Sequence, residues 1–454
     1  MTAAILFATS APLLAQSANL TVEEVQSLRN ELHSLRRQVR TLEDRIDSMS
    51  VGTPAENTAD FDDPLAQMEA EIEAMKTPSR QNARTAYNPQ LTVVGDFTYS
   101  TSSLDTDPAL PDAAGDPTGD FNRDRFSMRE LEIAFQSNID PYSRANVFLA
   151  LPGVLEEFED SAAAANEQKI EVEEAYLDFW RLPWGLQSKA GKFRLEFGKN
   201  NRLHTHALEA SDRPFVIADH FGEEGIREQG VGLQKVVPLT ADASTQVEFT
   251  AQILNGEGGE ESLFAGPGSD RTMGLGRVKL YHEFSPNLVT ELGHSFLNGR
   301  HDPQGQFRQR IQGYDFTLRY EPLDQLLFRR FLLRAEFIEG ERKIDNMIDQ
   351  LNTDGLYVML LHQWDRRWRA GYRYDNSKPA VEIVESLALG SFDFANRRKG
   401  NSVWLTYEHT EFNRWRLQYQ RTESNYALAG NKDREERLVF QWTWAVGPHG
   451  AHPY

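Results

Sequence analysis

From Gln90 onward, apolar and polar residues alternate with a period of two, the pattern of strands that present one face to an apolar surrounding. Leu91, Val93, Phe97 and Tyr99 alternate with Thr92, Asp96, Thr98 and Ser100. The pattern returns at Leu131, Ile133 and Phe135, at Val247, Phe249, Ala251 and Ile253, and at Tyr314, Phe316, Leu318 and Tyr320. It continues through Phe331 to Phe337, Trp368 to Tyr374, Val403 to Tyr407, Trp415 to Tyr419 and Leu438 to Trp444. Each run spans roughly nine to twelve residues, the length of a tilted strand that crosses a bilayer. The count predicts an all-β fold, a 16-stranded antiparallel transmembrane β-barrel over residues 88–454.

The connections read as alternating strictly in length. Short turns fall at 138–141, 182–185, 238–243, 285–287, 321–327, 365–366 and 411–413, and long loops at about 101–124, 152–168, 199–229, 255–272, 299–308, 341–354, 377–400 and 423–433. Short turns at one end and long loops at the other are the two faces of an outer-membrane barrel, with both chain ends on the short-turn side. Tyr142, Trp180, Trp184, Phe284, Trp364, Trp368, Phe412 and Trp415 lie beside the short turns and predict one aromatic girdle at the membrane interface.

Upstream the period changes. Thr21 and Glu24 form a capping box, and Val25, Leu28, Leu32, Leu35, Val39, Leu42, Ile46 and Met49 follow at spacings of three and four. One narrow apolar stripe needs a partner helix, so residues 16–50 are expected to form a self-associating coiled coil in the periplasm. Residues 51–87 read as a linker in which Asp63-Pro64 starts a short helix with Leu65, Met68, Ile72 and Met75 on one face. The small apolar stretch Ala3 to Ala15 reads as a signal peptide over 1–15, cut after Ala15.

Composition adds three constraints. Mean hydropathy is −0.56, and no run of about eighteen apolar residues exists to form a membrane helix. A barrel escapes that test because its two faces average out. The absence of cysteine fits passage through an oxidising periplasm. A net charge of −20 argues against a nucleic-acid partner. No Gly-x-Ser-x-Gly elbow, P-loop or His-Glu-x-x-His helix is present, so neither an enzyme nor a cofactor is expected. The acidic, Gly-rich stretch Asn255 to Glu261 reads as a solvated loop.

With the apolar positions turned to lipid, the opposite parity lines a lumen. It carries Lys192, Arg194, Arg277, Lys279, Arg319, Arg334, Arg369, Arg373, Arg414 and Arg416, with Glu130, Glu132, Glu174, Asp178, Glu248, Glu291, Asp315, Glu336 and Glu408. Two readings stay open: a basic ladder that guides anions, or a lattice of ion pairs that stiffens the wall. The third long loop, 199–229, holds His204, His206, Asp212, Asp219, His220, Glu223 and Glu224 and is expected to constrict the lumen. His204, His206 and His220 are its candidate transition-metal ligands.

Lys189-Ala190-Gly191-Lys192-Phe193-Arg194-Leu195-Glu196-Phe197-Gly198, followed by a long loop, resembles the corresponding strand of the phosphate-selective porin (O/P) family. Phe126 to Ile139, Glu173 to Leu177, Asp212-Arg213-Pro214, Gly222-Glu223-Glu224-Gly225 and the last eight residues, ending in Tyr454, look like an uncharacterised branch sometimes labelled zinc-regulated or TonB-dependent outer-membrane receptors. The resemblance implies a homotrimeric 16-stranded barrel with the third loop folded inward and anion selectivity from lumen Lys and Arg. Abundant lumen acids and a His-rich third loop depart from the phosphate pattern. A TonB-type receptor would need 22 strands and a plug. The expected role is passive diffusion of small hydrophilic, anionic solutes through the outer membrane of a Gram-negative cell. The expected partners are outer-membrane lipid, those solutes and two further copies, joined through the coiled coil and the barrel wall. Rival roles are a zinc-related uptake protein using the three histidines, and an envelope tether whose stalk engages the cell wall.

Overall fold

The computed structural model describes residues 89–103, 125–152, 170–256, 271–300, 307–322, 329–343, 351–378, 397–425 and 432–447. The expected signal peptide (1–15), coiled coil (16–50), linker (51–87) and Tyr454 lie outside them.

The strands are β1 (Gln90–Ser102), β2 (Arg125–Asp140), β3 (Ser143–Pro152), β4 (Glu171–Leu182), β5 (Leu186–Arg194), β6 (Arg227–Pro238), β7 (Thr245–Leu254) and β8 (Met273–Ser285). They continue as β9 (Leu288–Arg300), β10 (Arg308–Tyr320), β11 (Arg330–Arg342), β12 (Leu351–Gln363), β13 (Trp368–Ser377), β14 (Arg397–Thr410), β15 (Asn413–Asn425) and β16 (Lys432–Val446). Each pairs antiparallel with its sequence neighbours, and β1 closes on β16 with Val93 opposite Val446 and Thr101 opposite Leu438. Closure leaves no strand edge with bare N–H and C=O groups. It is the sixteen-stranded antiparallel barrel that the alternation predicts.

The alternation also sorts the two faces. Phe249, Ile253, Val403, Leu405, Leu417 and Phe440 are exposed on the outside, while their neighbours Thr250, Gln252, Ser402, Thr406, Gln418 and Gln441 are buried inside. All eight expected girdle aromatics are exposed, and Trp184 stands at the tip of its turn at φ 62°.

Three expectations are corrected. Strands run from nine residues (β5) to sixteen (β2), and those longer than the expected twelve are so because polar residues continue the pairing beyond the apolar belt. Connection lengths do not alternate strictly. β9 ends at Arg300 and β10 starts at Arg308, leaving seven residues, while the expected short turn between Tyr320 and Arg330 holds nine. The third loop spans 195–226 rather than 199–229, since Arg227, Glu228 and Gln229 already pair with Arg194, Phe193 and Lys192.

Among the described residues, two bulges away from the short turns modify the wall. Asp96 pairs with Glu130 and Phe97 with Met128, so Arg129 is extra; Phe148 pairs with Glu174 and Leu149 with Val172, so Glu173 is extra. A bulge re-aims the side chain it adds. Both point their charge at the third loop.

The main apolar core of the described residues lies inside the barrel. Phe193, Leu195, Phe197, Val216, Ile217, Phe221 and Ile226, from the end of β5 and the loop, pack with inward Met273, Leu275, Leu297, Ile311, Ile338, Tyr357 and Trp404. Alternation alone predicts a wet lumen there; the loop fills it with hydrocarbon instead.

Candidate functional site

Loop 195–226 runs within the barrel, and its own sequence fixes its shape first. Asn201 staples the two ends together: its Nδ2 donates to the carbonyls of Leu195 (2.9 Å) and Ile226 (3.1 Å), and its Oδ1 accepts from Ile226 N (2.8 Å). Arg213 gathers the middle. Its guanidinium donates to the carbonyls of Asn200 (2.8 Å), Leu203 (2.7 Å), Glu223 (2.7 Å) and Glu224 (3.0 Å). Only arginine offers a rigid fork of five donors for that task. Burial lowers the Arg213 pKa to about 10, which leaves it charged at neutral pH. A helix of about two turns, α1 (Phe215–Phe221), follows Pro214 and ends at Gly222 with φ 80°.

The wall then fixes the loop on two sides. Toward β8–β12, Phe197 meets Phe221 edge-on at 4.9 Å between centroids and lies so close to β10 that a Cβ at Gly313 would sit 2.6 Å from its ring. On the other side, at β14, Phe215 crowds Gly400 likewise, at 2.7 Å. Polar ties accompany this packing: Lys199 pairs with Glu291, Glu336 accepts from the N–H groups of Lys199 (3.0 Å) and Asn200 (2.9 Å), and His220 Nε2 lies 3.0 Å from Thr353 Oγ1.

Toward β13–β16 the contact is mainly polar, apart from Phe215 against Gly400 and Trp404 in the apolar core, both on β14. Arg416 donates to the carbonyls of Leu208 (2.8 Å) and Ala210 (2.6 Å), and Arg414 to that of His206. Arg373 reaches both the carbonyl of Asp212 (2.8 Å) and its carboxylate (2.6 Å), which also accepts from Gln418 (2.6 Å) and Gln420 (2.9 Å). Asp375 accepts from Phe215 N (3.1 Å), and Arg398 pairs with Asp219. Arg129, from the β2 bulge, contacts the carbonyl of Ser211. Glu209 sits among four arginines. Burial disfavours its charge, but Arg369, Arg330, Arg334 and Arg416 outweigh that and hold its pKa at about 2.

The residues expected to line the pore therefore separate. Arg373, Arg414 and Arg416 face inward but bind the loop. Arg277 pairs with Asp315 (2.9 Å), Lys279 with Glu248 (2.8 Å), and Arg369 with Glu408 (2.9 Å). Arg319 lies 3.6 Å from Glu321 near the short turns, while Asp178 accepts from Asn146 (2.9 Å). Arg334 is inward and 4 % exposed, and its Nε and Nη1 meet no acceptor. Arg194 folds under the loop onto Glu173 and the carbonyl of Glu224. Lys192 is the exception. Its pair partners Ala175 and Gln229 belong to the face of exposed Leu177 and Val231, so it points outward and donates to Val172 O (2.6 Å). Phe193, drawn into the inner core, takes the inward parity instead.

Of the expected loop residues, Glu223 and Glu224 sit at the loop exit, where Glu224 pairs with Arg227 (2.9 Å). His204 and His206 come together, with ring centroids 5.7 Å apart. His220 does not join them: its Nδ1 is taken by Val216 O at 2.8 Å and its Nε2 by Thr353. His204 lies between Glu132 (2.8 Å), Glu173 (3.2 Å) and Glu174 (2.9 Å). Burial opposes its charge, yet Glu132 and Glu174 prevail and raise its pKa to about 9. At His206 burial wins and lowers the pKa to about 4. The two rings thus stand in opposite charge states at neutral pH. The sequence reading missed Arg129, Glu173, Lys199, Asn201, Glu209 and Arg213. A run as apolar as Phe215-Val216-Ile217 within a long inter-strand loop was the available signal.

No family model matches the chain. A protein of Aquifex aeolicus (strain VF5), described as uncharacterized, is 27% identical over 404 residues, covering 81% of this chain and 80% of that protein. Among solved structures, the high-pH structure of Pseudomonas putida OprB aligns with a TM-score of 0.50 and 11% identity over 81% of this chain and 96% of that one. An anion-selective porin from Comamonas acidovorans gives 0.49 and 9% over 79% and 99%, and the outer-membrane channel DcaP of Acinetobacter baumannii 0.48 and 13% over 79% and 96%. At these identities the likeness is one of fold.

Proposed function

We propose that this chain is an outer-membrane channel for passive diffusion of small hydrophilic solutes, narrowed by loop 195–226. The observation that carries the reading is a closed sheet, apolar outside and polar inside, with a long loop fastened within it. Such a wall suits hydrocarbon on one side and water on the other, and the fold shared with P. putida OprB supports it. Kinship with the phosphate-selective porins and assembly as a trimer belong to the same reading.

Anions are the favoured solutes. Four arginines act on Glu209; Glu321 and Glu408 take up two of them, Arg330 and Arg369, while Arg334 keeps two donor nitrogens unmatched. A local excess of positive charge lowers the barrier for anions. Planar-bilayer recording tests both parts. Purified protein should give discrete conductance steps, with a reversal potential in a KCl gradient displaced toward chloride, and Arg334→Glu should move that potential toward potassium. Deleting residues 16–86 should leave the steps in place. Absence of steps from folded protein would defeat the channel reading; a cation-selective wild type would defeat only the anion preference.

A further inference from the structure

One cluster has side chains that take no part in fastening the loop to β8–β16. Where the loop passes β2 and β4, His204 and His206 stand against Glu130, Glu132, Glu173 and Glu174, and all six are buried. Arg194 serves Glu173 and Glu174, and His204 reaches Glu132, Glu173 and Glu174. Glu130 is different. It is 3 % exposed and neither of its oxygens meets a hydrogen-bond donor. A buried carboxylate in that state is costly, and either a proton or an unseen positive partner removes the cost.

His206 Nδ1 lies 3.8 Å from Glu130 Oε2 and 3.7 Å from Glu132 Oε2. These separations are too long for hydrogen bonds. They are close to the spacing of ligands around one ion, since bonds of about 2.0–2.1 Å set tetrahedral ligands roughly 3.4 Å apart. One ligand atom from each of Glu130, Glu132 and His206 lies within 4.8 Å of the others. We propose that Glu130, Glu132 and His206 bind a divalent transition-metal ion of the zinc class, with the fourth position left to water.

An imidazole beside two carboxylates suits zinc better than calcium or magnesium, which prefer oxygen alone. His204 is a positioning residue: its Nδ1, 2.8 Å from Glu132 Oε2, fixes the carboxylate that would ligate. The ion would join the loop, through His206, to β2, through Glu130 and Glu132. The site stands apart from the channel reading, since it needs the loop to meet the wall and not solute to pass.

The test is calorimetric titration of the folded full-length chain in detergent, stripped with EDTA and then given Zn²⁺, with Ca²⁺ and Mg²⁺ as competitors. One Zn²⁺ per chain is expected. Affinity should fall about tenfold or more in Glu130→Gln and in His206→Ala, and stay unchanged in His294→Ala on the outer face of β9. Heat-modifiable migration on a gel reports which variants are folded. Should the variants fail to fold, zinc-edge X-ray absorption of the wild type decides, with one imidazole among oxygen ligands expected. No stoichiometric binding by wild type, equal binding by folded Glu130→Gln and His206→Ala, equal competition by calcium, or an all-oxygen shell would overturn the proposal.

Discussion

The two sides of the inner loop are held by different physics. Against β8–β12 it is packed: Phe197, Val216 and Phe221 fill space left by small wall residues such as Gly313. Against β13–β16 it is hung: Arg373, Arg414 and Arg416 grip its backbone carbonyls. Packing is insensitive to salt and pH but intolerant of added volume. Hydrogen-bonded charges tolerate volume but fail when one partner is lost or titrated. A loop held in both ways can be loosened from either side separately, and that is how the contrast can be probed.

The largest effect is expected where both sides depend on one residue. Arg213→Ala strips donors from four buried carbonyls, each costing about 1–3 kcal/mol when orphaned. The loop should lose its shape and single-channel conductance should rise several-fold while the barrel remains heat-modifiable. Arg213→Lys should rescue little, because a single ammonium cannot span the four acceptors. Unchanged conductance in Arg213→Ala would mean that the wall alone shapes the loop.

Next comes the packed side alone. Gly313→Val drives methyl groups into the Phe197 ring, with a cost of about 1–3 kcal/mol for overpacking. Limited proteolysis should cut within 195–226 faster than in wild type, and high salt should not change the difference. On the hung side, Arg416→Met releases the carbonyls of Leu208 and Ala210, again about 1–3 kcal/mol for each acceptor left buried. Cutting should then centre on residues 206–212 and leave α1 protected. Equal protection of the two segments in both variants would erase the distinction between the sides.

The smallest effect is one of pH. The folded pKa of Glu209, about 2, lies below its usual value of 4.5. The stabilisation it gives is therefore fully present above about pH 4.5 and is lost as pH falls through about 2. The difference in loop protection between wild type and Glu209→Gln, measured by hydrogen exchange, separates this group from the titration of His206. It should stay flat from pH 7 to 5 and narrow below that, and a difference that does not narrow would assign the acid-side loss to other groups.

The wall was readable because each strand residue has only two choices of face. Phe249 and Ile253 against Thr250 and Gln252 state the choice outright, and the girdle aromatics mark the end of the barrel. The loop was readable only as long and His-bearing, since no periodicity encodes a path through space. Lys192 shows where the rule fails. Apolar-outward parity assumes water inside, and at Phe193 the inside is the loop itself, so the aromatic turns in and the lysine out. The contacts of Glu130 and His206 depend on where two distant segments meet, which one sequence does not encode.

The Asn201 staple carries a last consequence. Because it clasps Leu195 to Ile226, and Arg194 pairs directly with Arg227 beneath it, the 32 residues between β5 and β6 depart and return at a single point of the sheet. The cylinder's closure does not pass through them. Selection can therefore exchange this insert for another of different length or charge, retuning the interior of the barrel while its apolar outer surface stays as it is.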